Sequence, residues 1–456
     1  MSAQGTVQWS SRFAFLMAAM GSAIGLANIW RFPYSVGVSG GGAFVFVYIG
    51  AVLLLALPIL IAELMVGRRA AAPPPRAMSE VARESGRSRH WGWVGVLLGG
   101  FGAILTLSFY GIVGGWTMAY VVKTASGQLA EVGNTASEAS FGALNGDPWG
   151  LFAWFSLFLI ATIVVSARGI TAGVEKVVKT LMPALLVMLI ILVFYAMWAG
   201  NFKAALQFMF TPDFSQLNTK TVMAAFGQAF FSISVGLTNL MAYGAYMRKT
   251  DSIPQSALMV VSADTIVALL AGLAIFPIIF AFGLEPGSGP GVVFITLPVA
   301  FAQIPGGVVF GSLFFLLLFF AALTSSISMM EAPVSWLCDR TRLSRTAAAL
   351  LSGGISWTLG ILAVLSMNVW SGYYPLDNIP IFAGKTFFDL FDFTVTNVLM
   401  PLGGIVIAVF AGWVMKKTFS RQELYGDKPS AWYGVWLFLV RFVAPVILLF
   451  VFLDML

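Results

Sequence analysis

Eleven long apolar runs dominate the chain, at about 11–37, 42–67, 93–122, 149–167, 174–199, 221–247, 254–284, 308–338, 346–369, 386–415 and 431–455. Each is bounded by charge or by Pro and Gly clusters, and each approaches the ~20 mostly apolar residues needed to cross a hydrocarbon layer. A water-soluble fold has no room to bury so many. Of the 456 residues 59% are hydrophobic and 10% charged. The expected fold class is therefore an all-α polytopic membrane protein with 11 transmembrane helices, its principal partner the lipid bilayer. Soluble enzymes, nucleic-acid binders and peripheral proteins are excluded. The lone cysteine, Cys338, forbids an intrachain disulfide, and the lone histidine, His90, leaves no His/Cys cluster for zinc or haem.

Charge placement orients the runs, hereafter spans 1–11. With loops assigned alternately, Lys123, Lys203, Lys220 and Lys385 fall on one side, Arg31 and Arg441 fall within spans, and every other Lys and Arg falls on the opposite side. The basic side is cytoplasmic, so the amino terminus is expected inside and the carboxyl terminus outside. The first run resembles a signal peptide over Phe13–Leu26 but continues through Asn28 and Arg31, and is read as a retained span. Loops 125–148 and 285–307 are long enough to carry structure outside, and the Pro73–Pro75 run with the Arg-rich stretch 68–90 reads as a stiff, basic cytoplasmic loop.

Spans 1 and 6 are both interrupted near their middles, by Gly21-Ser22-Ala23-Ile24-Gly25-Leu26-Ala27-Asn28 and Ser232-Ile233-Ser234-Val235-Gly236-Leu237-Thr238-Asn239. Gly, Ser and Asn weaken a helix. The interruptions lie five spans apart, and five is odd, so a repeat of spans 1–5 in 6–10 runs upside down relative to its copy. Paired interruptions in such a repeat mark a midplane binding site, where freed carbonyls ligate a cation and helix amino ends hold a carboxylate. Close helix packing on small residues is the alternative reading, as at Gly95/Gly99 and Gly111/Gly115.

Ionisable residues inside spans are few, and each needs a partner or water. Arg31 lies just outward of the first break, with Asp389 and Asp392 at the outer end of span 10 as candidate partners. Glu63 is expected either to hydrogen-bond freed backbone of a broken helix or to act in function. Asp264, among Val and Ile with no nearby cation, is neutralised by a bound ion or by a hydroxyl on a neighbouring helix. Glu331 is expected to be water-exposed on the cytoplasmic path, and Arg441 has no evident partner. In span 8, Thr324-Ser325-Ser326 either bond back to their own helix or ligate a hard cation. Gly37-Val38-Ser39-Gly40-Gly41 matches a serine-nucleophile pattern, but Ser39 is placed outside and the only histidine inside, which argues against an intramembrane hydrolase.

GSAIGLANIWRFP at 21–33, GQAFFSIS at 227–234 and Ala321–Ser326, with Trp9, ELMVGR at 63–68, Tyr110, Trp116 and Asp392, resemble the neurotransmitter:sodium symporter family over nearly the whole chain. The nearest likeness is to its short bacterial amino-acid transporters. The resemblance implies a LeuT-type fold of two inverted repeats, 1–200 and 201–418, plus one additional transmembrane helix in 419–456. It also implies a non-enzymatic role in the bacterial cytoplasmic (inner) membrane as a monomer or weak dimer.

Two sodium ions are implied. The first is assigned to the Ala23 carbonyl, Asn28, Ser232 and Asp264 with the substrate carboxylate; the second to the carbonyls of Gly21, Ile24 and Ala321 with the Thr324 and Ser325 hydroxyls. An amino-acid substrate is implied among Ala23, Gly25, Tyr110, Phe231, Ser232, Ser234 and Ser326, its side chain toward Thr106, Leu237 and Met329. Tyr110 and Phe231 form the thin outer lid, and Arg31 and Asp392, bridged by Gln228, the thicker one. Departures from the pattern carry meaning. Gly25 stands where monoamine carriers have Asp, which disfavours amines; Asp264 and Ala268 replace chloride-binding Asn and Ser, so chloride is not expected. Ala27 replaces a usual Gly, and Thr6 stands where an inner-gate Arg is common, leaving the gating role of Asp339 open. Gly173 and Pro183 match a spacing that permits local unwinding of span 5, although Pro also kinks helices without function. The function expected is a sodium-coupled symporter for neutral, hydrophobic L-amino acids; a receptor or channel on the same scaffold is the alternative.

Overall fold

The computed structural model describes residues 8–130, 133–283, 292–426 and 430–455, so Thr6, Pro286 and Pro290 lie outside the described residues. These residues are helical throughout, apart from turns and one isolated antiparallel bridge between Gly41 and Pro212. Among the described residues nine helices are long and apolar enough to cross a membrane, and the bent pair Arg12–Ala23 and Ala27–Val38 adds a tenth. The sixth run divides into two shorter helices, Thr219–Ser232 and Asn239–Gly244.

Local chemistry accounts for both breaks. Ser11 caps span 1 by accepting from the Ala14 N–H at 3.1 Å, and the helix ends where Ile24 turns extended at φ −70°, ψ 100°. The chain resumes at Ala27, bent by 52°. In span 6, Ser234, Gly236 and Thr238 all take positive φ, at 55°, 96° and 59°. Two non-glycine residues there adopt a sparsely populated conformation that surrounding contacts must hold. At Gly236 a side chain is doubly excluded, by φ and by the Met400 carbonyl oxygen 2.5 Å from where Cβ would stand.

Glu63 supplies part of the hold. Its carboxylate accepts from the Gly236 N–H at 2.8 Å, within the break, and from the Met241 N–H at 3.2 Å, in the helix that follows it. Of its two expected roles, bonding to freed backbone is the one observed.

The long span-8 helix, Gly307–Arg340, packs chiefly against span 3, and span 3 against spans 4 and 9. Around this group lie span 1, the inner half of span 6 against span 2, span 5 against span 7, and span 11 against span 10. Trp149, Trp198, Phe194, Trp432 and Phe450 are exposed large hydrophobics on the outer spans, as a lipid-facing surface requires.

Several expectations are corrected. The stretch after span 2 is not a stiff loop: Pro74–Glu84 is a helix started by its prolines, with Pro74, Pro75, Ala77, Met78, Val81 and Ala82 on a buried face. Span 5, where Gly173 and Pro183 were expected to permit local unwinding, is wound in this structure, which leaves that capacity open. Gly173 lies in a π-helical turn, Ile170–Glu175, and Pro183 lies inside the continuous helix Lys176–Ala199. Similar π-turns occur at Ala27–Arg31, Val52–Ala56, Val96–Gly102, Thr394–Leu399, Phe410–Val414 and Leu439–Val443. Arg441 also finds partners: its Nε donates to the Gly412 carbonyl at 2.6 Å, and its guanidinium lies 4.9 Å from the Trp413 ring centre. A cation placed on a helix carbonyl and an aromatic face is well accommodated near lipid.

Candidate functional site

A cavity of about 450 Å³ runs from the two breaks outward to Asp389 and Asp392. Its inner part is lined by Ala23, Gly25, Thr106, Tyr110, Phe231, Ser234, Leu237 and Met329, eight of the ten substrate positions expected. Gly25 is required by close approach, because a Cβ there would stand 2.7 Å from Ser325 Oγ. The Tyr110 hydroxyl is buried near Ser325 and the Leu26 backbone, yet finds no hydrogen-bond partner within 3.5 Å in good geometry among the described residues. Thr106 turns its hydroxyl onto the Gly102 carbonyl at 2.7 Å, which leaves the side-chain end of the cavity close to apolar.

The remaining two positions are placed differently. Ser326 does not line the cavity; its hydroxyl lies 2.8 Å from Thr162 Oγ1 and 2.9 Å from the Leu323 carbonyl. Ser232 is engaged with Asp264, its hydroxyl donating to Oδ2 at 2.7 Å.

Asp264 is fully buried at the meeting of spans 1, 2, 6 and 7. Asn28 Nδ2 donates to Asp264 Oδ1 at 2.8 Å and to Ser232 Oγ at 3.0 Å, while Asn28 Oδ1 accepts the Gly25 N–H at 3.0 Å. Three residues drawn from three separate runs thus meet in one polar cluster buried behind the cavity wall, joined to it through Gly25. Tyr48 adds a fourth group: its hydroxyl is 3.5 Å from both Ser232 Oγ and Asp264 Oδ2. The expected alternative of a hydroxyl partner for Asp264 is therefore also seen.

A second oxygen cluster forms where span 1 crosses span 8. Ser325 Oγ lies 3.3 Å from the Gly21 carbonyl and 3.5 Å from the carbonyls of Ser22 and Ile24. Thr324 Oγ1 donates back to Phe320 and Ala321 carbonyls at 3.0 and 3.1 Å. Oxygens from both helices, neutral and hard, are the donor set that suits an alkali cation.

Toward the outer end, the expected pairing is not made. No ion pair within 4.0 Å joins Arg31 to Asp392 among the described residues, although both line the cavity. Arg31 instead lies 4.2 Å above the Phe231 ring, and Gln228 Nε2 donates to the Ala27 carbonyl at 3.1 Å rather than bridging Arg31 and Asp392. Asp389 is committed to its own helix start, accepting from Thr386 Oγ1 at 2.7 Å in a reciprocal cap.

The opposite end is closed. Trp9 donates to the Tyr243 carbonyl at 3.1 Å, and Ser10 and Lys179 hold Glu175. Glu331 is fully buried rather than water-exposed: Arg345 grips it through two guanidinium nitrogens, Nη1 to Oε1 at 3.1 Å, and Tyr246 donates to it at 2.7 Å. Asp339 pairs with Arg76 of the helix that follows span 2.

Sequence reasoning missed Tyr48, Arg76, Arg345 and the outer lining residues Trp30, Phe388 and Met400. Tyr48 sits in an apolar run with no periodic signal. Arg76 and Arg345 were visible as basic residues flanking apolar runs, but which of the many arginines Asp339 and Glu331, both on Gly307–Arg340, would take was not.

A helical membrane scaffold with two broken spans meeting beside buried oxygen clusters and a cavity open toward one end defines a secondary transporter rather than an enzyme. The profile of the Sodium:neurotransmitter symporter family matches residues 6–139 and 146–456, and the chain belongs to that family. It is 38% identical to an uncharacterised sodium-dependent transporter of Bacillus subtilis, covering 100% of this chain and 99% of the relative. A sodium-dependent nutrient amino acid transporter of Drosophila erecta is 25% identical over 79% of this chain and 66% of its own length. Among solved structures, MhsT in complex with L-phenylalanine is similar with a TM-score of 0.88 and 40% identity, over 99% of this chain and 100% of that one. The protein is thus an integral membrane, sodium-dependent transporter.

Proposed function

We propose that the chain is a symporter that couples two sodium ions to uptake of neutral, hydrophobic L-amino acids by alternating access, without chloride. The observation that carries this reading is the meeting of Asn28, Ser232 and Asp264 directly behind the cavity wall at Gly25. An ion there touches both broken spans, so its binding orders the cavity that the amino acid occupies. The substrate carboxylate completes this first site and takes the free Tyr110 hydroxyl. The second ion takes the Gly21, Ile24 and Ala321 carbonyls with the Thr324 and Ser325 hydroxyls.

Hydrophobic specificity follows from Leu237, Met329, Thr106, Phe109 and Val113, which bring no charge to the inner cavity. Methionine conforms to more than one side-chain shape, so several substrates are accepted. The fixed charge of Asp264 takes the place of the chloride that some relatives require. Eleven spans in a five-plus-five-plus-one order, with repeats over 1–200 and 201–418 and the amino terminus inside, complete the proposal. MhsT, bound to L-phenylalanine, supports the substrate class by similarity.

The test is uptake of radiolabelled leucine, tryptophan and alanine into proteoliposomes with sodium, potassium or choline outside, with and without chloride. Sodium-dependent accumulation unaffected by chloride is expected. Accumulation indifferent to sodium rejects the coupling, and loss of uptake without chloride rejects the role given to Asp264.

A further inference from the structure

One buried contact between the broken first span and span 8 is used by neither ion site. Ser22 Oγ donates to Ser328 Oγ at 2.9 Å, and Ser328 Oγ donates in turn to the Ser325 carbonyl at 2.8 Å. Both side chains are buried, Ser22 at 0% and Ser328 at 1% exposure. Ser328 lies on the closed side of the oxygen cluster, and Ser22 sits among it, between the Gly21 and Ile24 carbonyls. Ser22 is in the last turn of Arg12–Ala23, and Ser328 is about one turn beyond Ser325 toward the end of span 8 that carries Asp339. From the cluster toward that end, this is the first polar tie between the two helices among the described residues.

We infer that Ser22 and Ser328 form a latch that holds the inner half of span 1 on span 8 and sets how readily the second ion is released to the cytoplasm. The inference rests on the reading of Gly21, Ile24, Ala321, Thr324 and Ser325 as that ion's ligands. Opening the route requires Arg12–Ala23 to leave span 8, which breaks the Ser22–Ser328 bond and disperses the oxygens together. The latch and the ion therefore stabilise the same closed arrangement, and weakening one weakens the other.

The direction of the two bonds makes the variants unequal. In Ser22→Ala, Ser328 keeps its bond to the Ser325 carbonyl and no polar atom is left unpaired. In Ser328→Ala, the Ser22 hydroxyl loses its acceptor in a dry interface, which is the more disruptive loss. The double variant removes both hydroxyls and returns to the level of Ser22→Ala. Simple loss of packing predicts instead that the double variant is the worst of the three.

The experiment measures the sodium concentration for half-maximal binding of labelled leucine by the purified full chain. It also measures the maleimide labelling rate of an Ala14→Cys reporter in a Cys338→Ser background. Ala14 is fully buried on the same helix. Ser22→Ala is expected to raise half-saturating sodium and to accelerate labelling in sodium, each by roughly two- to tenfold. Ser328→Ala is expected to exceed it, and the double variant to match Ser22→Ala. Values within 1.5-fold of the parent for both single variants, or a double variant worse than either, overturn the latch. Wild-type binding indifferent to sodium instead overturns the proposed coupling, and the labelling rates then decide the latch by themselves.

Discussion

Among the described residues, the Asp264 carboxylate hydrogen-bonds to Asn28, Ser232 and, more distantly, Tyr48, and none of these is a cation. A buried carboxylate matched only by neutral donors is an incomplete electrostatic arrangement, and a bound cation completes it. Asp264→Asn keeps the size and removes the charge. Half-saturating sodium is expected to rise by at least about tenfold, or transport to acquire a chloride requirement, since that anion restores what was removed. Sodium titrations of uptake in chloride-free and chloride-containing buffer check this, and an unchanged titration without chloride defeats it. At this scale the sequence was informative wherever a polar residue interrupted an apolar run. Asn28, Glu63 and Asp264 stand out because bilayers penalise such residues. What it could not disclose was pairing. Asp339 and Glu331 take Arg76 and Arg345, chosen from many arginines by the three-dimensional path of helices that the sequence orders only in one dimension.

Among elements, the sixth span shows how a break is kept open. Its three positive-φ residues are held by hydrogen bonds from Gly236 and Met241 to the two oxygens of Glu63. Glu63→Gln replaces one acceptor with an amide that confronts a donor, leaving a buried group unpaired at a cost of about 1–3 kcal/mol. The midpoint of thermal unfolding in detergent is expected to fall, with leucine binding reduced alongside; an unchanged midpoint rejects Glu63 as the support of the break. Both breaks were legible because Gly, Ser and Asn clusters recur at matching places in spans 1 and 6. The structure of span 5 was not. Gly173 and Pro183 carry the spacing of an unwinding segment, but a π-turn accommodates Gly173, and the helix continues through Pro183. The helix Pro74–Glu84 was hidden for a related reason: three consecutive prolines read as extended chain, yet the last two occupy the first helical positions, where no N–H is needed.

Across the whole molecule, the outer cavity and the closed inner face belong to one state. Arg31 rests on Phe231 away from Asp392, while Glu331, Arg345, Tyr246 and the Ser166 carbonyl, which Arg345 Nε reaches at 2.9 Å, knit spans 4, 6, 8 and 9 together inside. Arg345→Ala strands the Glu331 carboxylate, with a penalty of about 3–5 kcal/mol. Lower stability and faster cysteine labelling at this closed end are expected, and adding Glu331→Gln to Arg345→Ala should recover much of both. A double variant no better than the single one counts against an uncompensated charge as the cause.

Apart from Val292–Thr296, which lies between spans 7 and 8, the widened turns fall in spans 1, 2, 3, 5, 10 and 11, whereas spans 4, 7, 8 and 9 are uninterrupted α-helix. One residue of an α-helix corresponds to about 100° of rotation. A helix that absorbs or expels the extra residue of such a turn therefore re-aims every side chain beyond it while its axis keeps its course and its backbone stays wound. Those six rods carry built-in swivels, and the four smooth ones form the frame against which any turning is measured.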